Sequence, residues 1–387
     1  MVPELRKVFI AGASLTKVGD HWNKSIVDLA VEAGSAALKD SGIASPDQIV
    51  IGNMFSGFSS HQENLGAILA DSLMLRGTPA LKVESSGASG AMACNVADSM
   101  IRSDQVDSVL VIGAEKMRDM EPGDAVHATS LGESVSFTQF FGISQTAICA
   151  LLTQMYMQEF EISRDELSIF PVIAHKNAVP AEHAQFRKAI TVTDVSRSMP
   201  VSDPLRLLDC APVGDGAAAA VLCSENTHVK NAKVEIVASS ASTDSLNFFE
   251  RDDMFDFTAT RRALAKALSN ASLSISDVDF AEINDSYSSV AALSVEALGF
   301  SKRGEAVRDA KEGKFDLNGK IPISTFGGLK GRGNPAGATG VYQMVEAYRQ
   351  LVGVAGANQV KDAKTGLLHN IGGIDSSAVV HLLRRVS

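Results

Sequence analysis

Small and apolar residues occupy every side of the stretch 88–101, which carries almost no charge. A helix that is apolar all round is a buried helix. Its first turn points free N–H groups and the positive end of the dipole into the interior, where they suit a developing negative charge. A second stretch opens at Gly333-Asn334-Pro335-Ala336-Gly337-Ala338-Thr339-Gly340 and stays mainly apolar to about Val352. Each is entered past a lip residue, Gly87 or Asn334, with a Gly-Ala pair three residues further on (Gly90-Ala91, Gly337-Ala338). Pro335 suits the first helical position. Two matching entrances predict an internal duplication, with Gly87 and Asn334 facing each other across a pseudo-twofold axis.

Around these helices the pattern alternates. Buried strands are predicted over 7–11, 48–51, 80–83 and 108–113, and helices over 24–39 and 64–75. That spacing implies crossover units and a largely parallel sheet covered on both faces. The rhythm breaks after 114–117, and helices over 145–159, 164–177 and 179–188 read as an insertion covering one face. A strand ending at Cys223 returns to the first half. The second half repeats the alternation, with strands at 233–238, 280–283, 366–369 and 378–383 and helices at 260–268 and 288–298. The expected division is 1–118 with 200–226 as the N-terminal half, 119–199 as the inserted loop domain, and 227–387 as the C-terminal half. Loops at Glu282-Ile283-Asn284-Asp285-Ser286-Tyr287 and Asn370-Ile371-Gly372-Gly373 then meet the Gly87 lip at the strand ends, where doubly wound sheets build their sites.

Composition narrows the function classes. Of 387 residues, 45% are hydrophobic and 21% charged, as in a globular protein, and the net charge of −10 argues against a general nucleic-acid binder. No stretch reaches the apolar length that spans a bilayer. The first residues lack a signal-peptide core, so a cytoplasmic location is expected. The four Cys (Cys94, Cys149, Cys210, Cys223) show no pairing or metal-like spacing, and the eight His include no i, i+4 pair, so no metal is expected.

With these residues in view, the chain resembles the thiolase family along essentially its whole length, closest to the archaeal and sterol-carrier-type thiolases. The stretches that carry the resemblance include Asp28-Leu29-Ala30-Val31-Glu32-Ala33-Gly34, Gly113-Ala114-Glu115-Lys116-Met117, His175-Lys176-Asn177-Ala178, Gly327-Gly328-Leu329-Lys330 and Gly337-Ala338-Thr339-Gly340. The resemblance implies a five-layered αβαβα fold, a homodimer or homotetramer, and a coenzyme A thioester as ligand with no covalently bound cofactor. It also implies assembly with a small zinc-ribbon/OB-fold protein and hydroxymethylglutaryl-CoA synthase.

Family chemistry calls for a nucleophilic Cys at the first lip, a His at the second, another Cys on one of two loops, and an Asn or His completing an oxyanion site. Here Gly87, Asn334, Ser286 and Asn370 stand at the first three of these positions, the last two on the alternative loops. Asn284 matches the family, and the Gly373 N–H is a further oxyanion donor. Ala211, where the family often has Ser near the pantetheine, and Gly214 are the expected coenzyme A contacts.

Losing a covalent nucleophile costs on the order of a million-fold in rate. Losing a general base costs another ~10²–10⁴-fold where the effects separate. Ser86 and Ser89 have no adjacent base, and Cys94 lies two turns deeper as a packing residue. Three readings follow. The chain binds acyl-CoA as a complex subunit without Claisen or thiolysis chemistry; or it is an acetyl-CoA C-acetyltransferase using other groups; or it is a retro-aldol lyase on β-hydroxyacyl-CoA using Tyr287, Asn284, Asn334 and the N–H groups of Gly87 and Gly373.

Overall fold

Successive residues of the central strands point into different apolar layers, so the sheet separates cores instead of capping one. In the computed structural model, which describes residues 5–227, 229 and 233–386, nine strands join in one sheet. They are β1 (Val8–Leu15), β2 (Gln48–Gly52), β3 (Ala80–Val83), β4 (Ser108–Glu115), β5 (Gly216–Ser224), β6 (Val234–Thr243), β7 (Phe280–Glu282), β8 (Thr365–Gly372) and β9 (Ser377–Arg385). Their order is β3-β2-β4-β5-β1-β6-β9-β8-β7. The two halves meet at β1 and β6, where Val8 pairs Ile236, Phe9 pairs Glu235 and Ile10 pairs Val234.

The longer helices are α1 (Ile26–Ser41), α2 (Leu65–Ser72), α3 (Ser89–Arg102), α4 (Pro122–Ser130), α5 (Gln145–Glu159), α6 (Ile169–Ala178), α7 (Thr258–Ala271), α8 (Ser288–Ala297) and α9 (Thr339–Val352). Helix α1 shows how local sequence sets such bounds. Ser25 and Asp28 form a capping box at its start, and Gly42 closes it in the left-handed conformation, φ 73°. On β4, Val109 and Val111 face Ala93 and Ala97 of α3 and Val341 and Val345 of α9. Leu110 and Ile112 face Leu29 and Ala33 of α1 instead. In the second half, Leu368 and Leu383 reach the same middle layer, while Leu367, Val380 and Leu382 turn to Ala263 of α7 and Val290 of α8. The result is the five-layered αβαβα arrangement, with α3 and α9 in the middle.

Several expectations need correction. The sheet is mixed, not largely parallel: parallel pairing is confined to β2 with β3 and β4 and to β7 with β8. Strand β5 returns from the inserted residues between β1 and β4 and runs against both. A hairpin too tight for a crossover joins β8 to β9. No helix forms over 179–188; the Gln185 and Phe186 N–H groups donate to the Arg332 and Gly331 carbonyls at 2.8 and 3.1 Å. The helix expected over 164–177 breaks at Ser168 into Arg164–Leu167 and α6, whose first turn tolerates Pro171. Pro335 does not begin α9: a short 3-10 turn, Ala336–Ala338, intervenes before Thr339. Helix α3 is not buried on every side either, since Met92, Asn95 and Val96 are half-buried and Ser99 is exposed.

The two interior helices touch backbone to backbone. A Cβ on Gly90 would lie 2.7 Å from the Gly337 carbonyl oxygen, and one on Gly340 would fall on the Ala91 backbone. Gly340→Ala is therefore expected to lower stability by about 1–3 kcal/mol in urea denaturation, the ordinary cost of overpacking. A gain of about 1 kcal/mol, the intrinsic preference of Ala over Gly in a helix, would contradict this close contact.

Candidate active site

Strand β3 ends at Val83 and α3 begins at Ser89, and the intervening turn sets the first lip. Ser86 takes φ 51°, while Ser89 Oγ accepts from the Ser85 N–H at 2.9 Å and donates to the Ser86 carbonyl at 2.6 Å. Gly87 then opens onto an inner chamber of about 60 Å³, shared with Asn284, Ser286, Asn334, Ile371 and Gly373. The chamber leads outward into a cleft of about 820 Å³ whose lining runs from Lys17 and Met117 through Gln145 and Pro212 to Tyr287 and Asn334. Met117, Thr129, Val213, Ser286 and Asn334 line both spaces. Lys17, His21 and Arg118 add basic groups to the outer wall.

At residue 87 there is no room reserved for a side chain. A Cβ there would lie 2.9 Å from the Ile371 carbonyl oxygen at the end of β8. The thiols give no substitute. Burial pushes Cys94 up to about 12 in the middle layer. Cys210 lines the outer cleft, where burial raises its thiol to about 11. Neither is a thiolate near neutral pH.

The amides are better placed. Asn334 is fixed by its backbone, which donates to the Pro212 carbonyl at 2.9 Å and accepts from the Gly214 N–H at 3.2 Å. Its Oδ1 accepts from Thr339 Oγ1 at 3.1 Å, which leaves the amide NH₂ as its donor, and both residues line the chamber. Asn284 Oδ1 likewise accepts from the Ser286 N–H at 3.2 Å, leaving its Nδ2 as the donor toward the chamber. Two such donors can hold an enolate or thioester oxygen, though neither can take a proton at neutral pH.

The other expected residues divide. Ser286 and Gly373 line the chamber, and Ala211 lines the outer cleft with its N–H bound to the Ser286 carbonyl at 2.7 Å. Gly214 sits behind that wall against Val18 and Gln185. Asn370 faces away, its Nδ2 donating to Gln343 Oε1 of α9 at 3.0 Å. Tyr287 lines the outer cleft, and its hydroxyl bonds Thr146 Oγ1 at 2.9 Å.

Buried charges, which spacing alone did not single out, hold these loops in place. Glu115, at the end of apolar β4, accepts from the Met54 and Phe55 N–H groups, Asn53 Nδ2 and the Gly337 N–H at 2.8–3.1 Å. It thereby ties the loop after β2 to the entrance of α9. Burial pushes its carboxyl up to about 7 against those donors. Arg332 Nη1 meets Glu346 Oε2 at 2.7 Å, and His183 Nε2 meets Glu346 Oε1 at 2.8 Å, all deep in the protein. This network anchors the segment that delivers Asn334. The signal available in sequence was a charged residue inside an apolar run, which has to find partners.

Two α/β halves that aim the entrances of their interior helices at one shared chamber define the class of protein. The sequence matches Thiolase, N-terminal domain, over residues 8–226 and Thiolase C-terminal domain-like over residues 240–385. The chain belongs to the thiolase family. It is 36% identical over 385 residues to an acetyl-CoA acetyltransferase of Methanothermobacter thermautotrophicus, a match covering 98% of this chain and 100% of that one. Sterol carrier protein 2 of Rattus norvegicus is 31% identical over 401 residues, covering 99% of this chain and 72% of the relative. The solved structure of the Ltp2-ChsH2(DUF35) aldolase superposes with a TM-score of 0.83 at 22% identity, covering 98% of each chain.

Removing one member of the buried network strands its partner. Arg332→Met leaves Glu346 with His183 alone and is expected to cost about 3–5 kcal/mol in chemical denaturation, as for other broken buried pairs. A change below about 1 kcal/mol, the worth of an exposed pair, would contradict the anchoring role.

Proposed function

We propose that the chain binds an acyl-CoA thioester, with the coenzyme along the outer cleft and the thioester carbonyl at Asn284 and Asn334, and that no acyl-enzyme forms. The observation that carries this reading is Gly87 at the lip, with the Ile371 carbonyl 2.9 Å from where a nucleophile's Cβ would stand. Lys17 and Arg118, the latter paired with Asp20 at 2.6 Å, bring basic groups toward the phosphates of such a ligand on a wall that also carries Gln145, Thr146, Gln185 and Ser286. The archaeal relative bears the name of an enzyme acting on acetyl-CoA, and the match extends over nearly the whole chain. A DUF35 chain is named beside the aldolase neighbour, in keeping with a complex for this protein too. Strand β3 is last in the sheet order, an edge that suits pairing with a second copy.

Retro-aldol cleavage of a β-hydroxyacyl-CoA is the second reading. The two amide donors favour it, since that reaction needs an oxyanion site for the thioester enolate and no sulfur.

Trp22, the only tryptophan, adjoins His21 of the cleft wall, with the Lys116 ammonium 5.8 Å from the centre of its ring. Titration with acetyl-CoA is expected to change its fluorescence, and Arg118→Ala to weaken binding about tenfold, as for loss of one charge-assisted contact. Mass spectrometry of the incubated protein should show no added acetyl group. An acetyl adduct on a chamber residue, or thiolysis of acetoacetyl-CoA near ~1 s⁻¹, an ordinary enzymatic rate, would contradict the reading.

A further inference from the structure

The chamber that would seat the acyl group is small. Its volume is about 60 Å³, whereas an apolar cavity of about 150 Å³ is the size that binds benzene. On that scale there is room for roughly two or three heavy atoms, the carbonyl and methyl of an acetyl group. The walls leave little slack. Glu115 holds the Met54 and Phe55 N–H groups together with the Gly337 N–H, and the two interior helices touch backbone to backbone.

Comparing the linings of chamber and cleft shows which end is closed, and by what. Met117, Thr129, Gln145, Val213, Ser286 and Asn334 belong to both spaces and so mark the entrance. Apolar side chains found in the chamber alone are those of Met54, Phe55, Leu329, Ala336 and Ile371. Four of these are buried, so protein backs each of them. Met54 is the exception, being half-buried. Its stem packs with the cluster of Phe55, Met117, Ala128 and Ala336. Its Sδ accepts from Ser86 Oγ at 3.7 Å, beside the Gly87 lip. Its Cε lies 3.4 Å from where a Cβ on Gly132 would stand. Gly132 is itself half-buried, and Leu131 before it is exposed. Beyond the Met54 methyl, then, stands a partly exposed residue without a side chain, not packed core.

We infer that Met54 is the stop that sets the length of the acyl group. It admits an acetyl group and turns away chains of four carbons or more, and its truncation would let such chains run on toward Gly132. An unbranched thioether fills an irregular gap of this kind, and the Ser86 hydroxyl holds its sulfur at the lip. One methylene too many in an apolar pocket changes affinity by about 10–200-fold. The remaining walls cannot yield that space as readily, because their side chains are enclosed.

The inference rests on acyl-CoA binding in this cleft, and the test separates the two. The whole protein is titrated calorimetrically with free coenzyme A and with acetyl-, butyryl- and hexanoyl-CoA. Wild-type protein is expected to bind the two longer thioesters at least about tenfold more weakly than acetyl-CoA. Met54→Ala should remove most of that gap. Met54→Phe, which fills the end of the chamber, should lower the preference for acetyl-CoA over free coenzyme A. Circular dichroism checks that each variant is folded. Hexanoyl-CoA bound by the wild type as tightly as acetyl-CoA, or the same gap in folded Met54→Ala, would overturn the role of Met54 and leave acyl-CoA binding standing. If Met54→Ala does not fold, an unchanged preference in Met54→Phe overturns that role instead. Failure of every acyl-CoA to bind would overturn the cleft reading, and this inference with it.

Discussion

The close approach of α3 and α9 is the constraint on which the site depends. Glycines at 90, 337 and 340 let the two backbones meet where side chains would hold them apart. Gly52 and Gly113 extend the contact to the strands: a Cβ on Gly113 would lie 2.9 Å from the Ala338 Cα. Because the helices touch, their entrances end at one small chamber, and the lips Gly87 and Asn334 share its wall. Glu115 then bolts the loop after β2 to the α9 entrance with charge-assisted hydrogen bonds. Position in this site comes from backbone contact and buried charge, not from its own side chains.

That separation lets the residues at the two lips vary while the scaffold persists. The Ile371 carbonyl fills in against Gly87, and Asn334 keeps its backbone bonds to the Pro212–Gly214 strip. What remains is a pocket of donors. Amide N–H groups can stabilise a developing oxyanion whether or not a thiol stands nearby.

Much of the architecture was legible in the residues. The apolar run at 108–113 and the small-residue entrances at 87–90 and 334–337 marked the strand, the interior helices and the duplication. Sheet direction was not legible, because β5 enters from a distant segment and nothing in its run of Ala states which way it lies. The 179–188 helix failed for a related reason: its backbone partners lie at residues 331 and 332, remote in sequence. Within the site, the two lip residues could be placed from motif spacing, and Asn284 from the family resemblance. The outward turn of Asn370 toward Gln343 could not, since it depends on a side chain of α9.

The central claim is that this chamber holds a thioester by its carbonyl and leaves it unattached. Carbon-13 NMR of acetyl-CoA labelled at the thioester carbonyl reads that state directly. A single bound thioester resonance, displaced downfield by hydrogen bonding and returned toward the free position in Asn284→Ala, is the expected result. A resonance from a covalent ester or an acyl-enzyme, or a bound carbonyl with no displacement, would contradict the account.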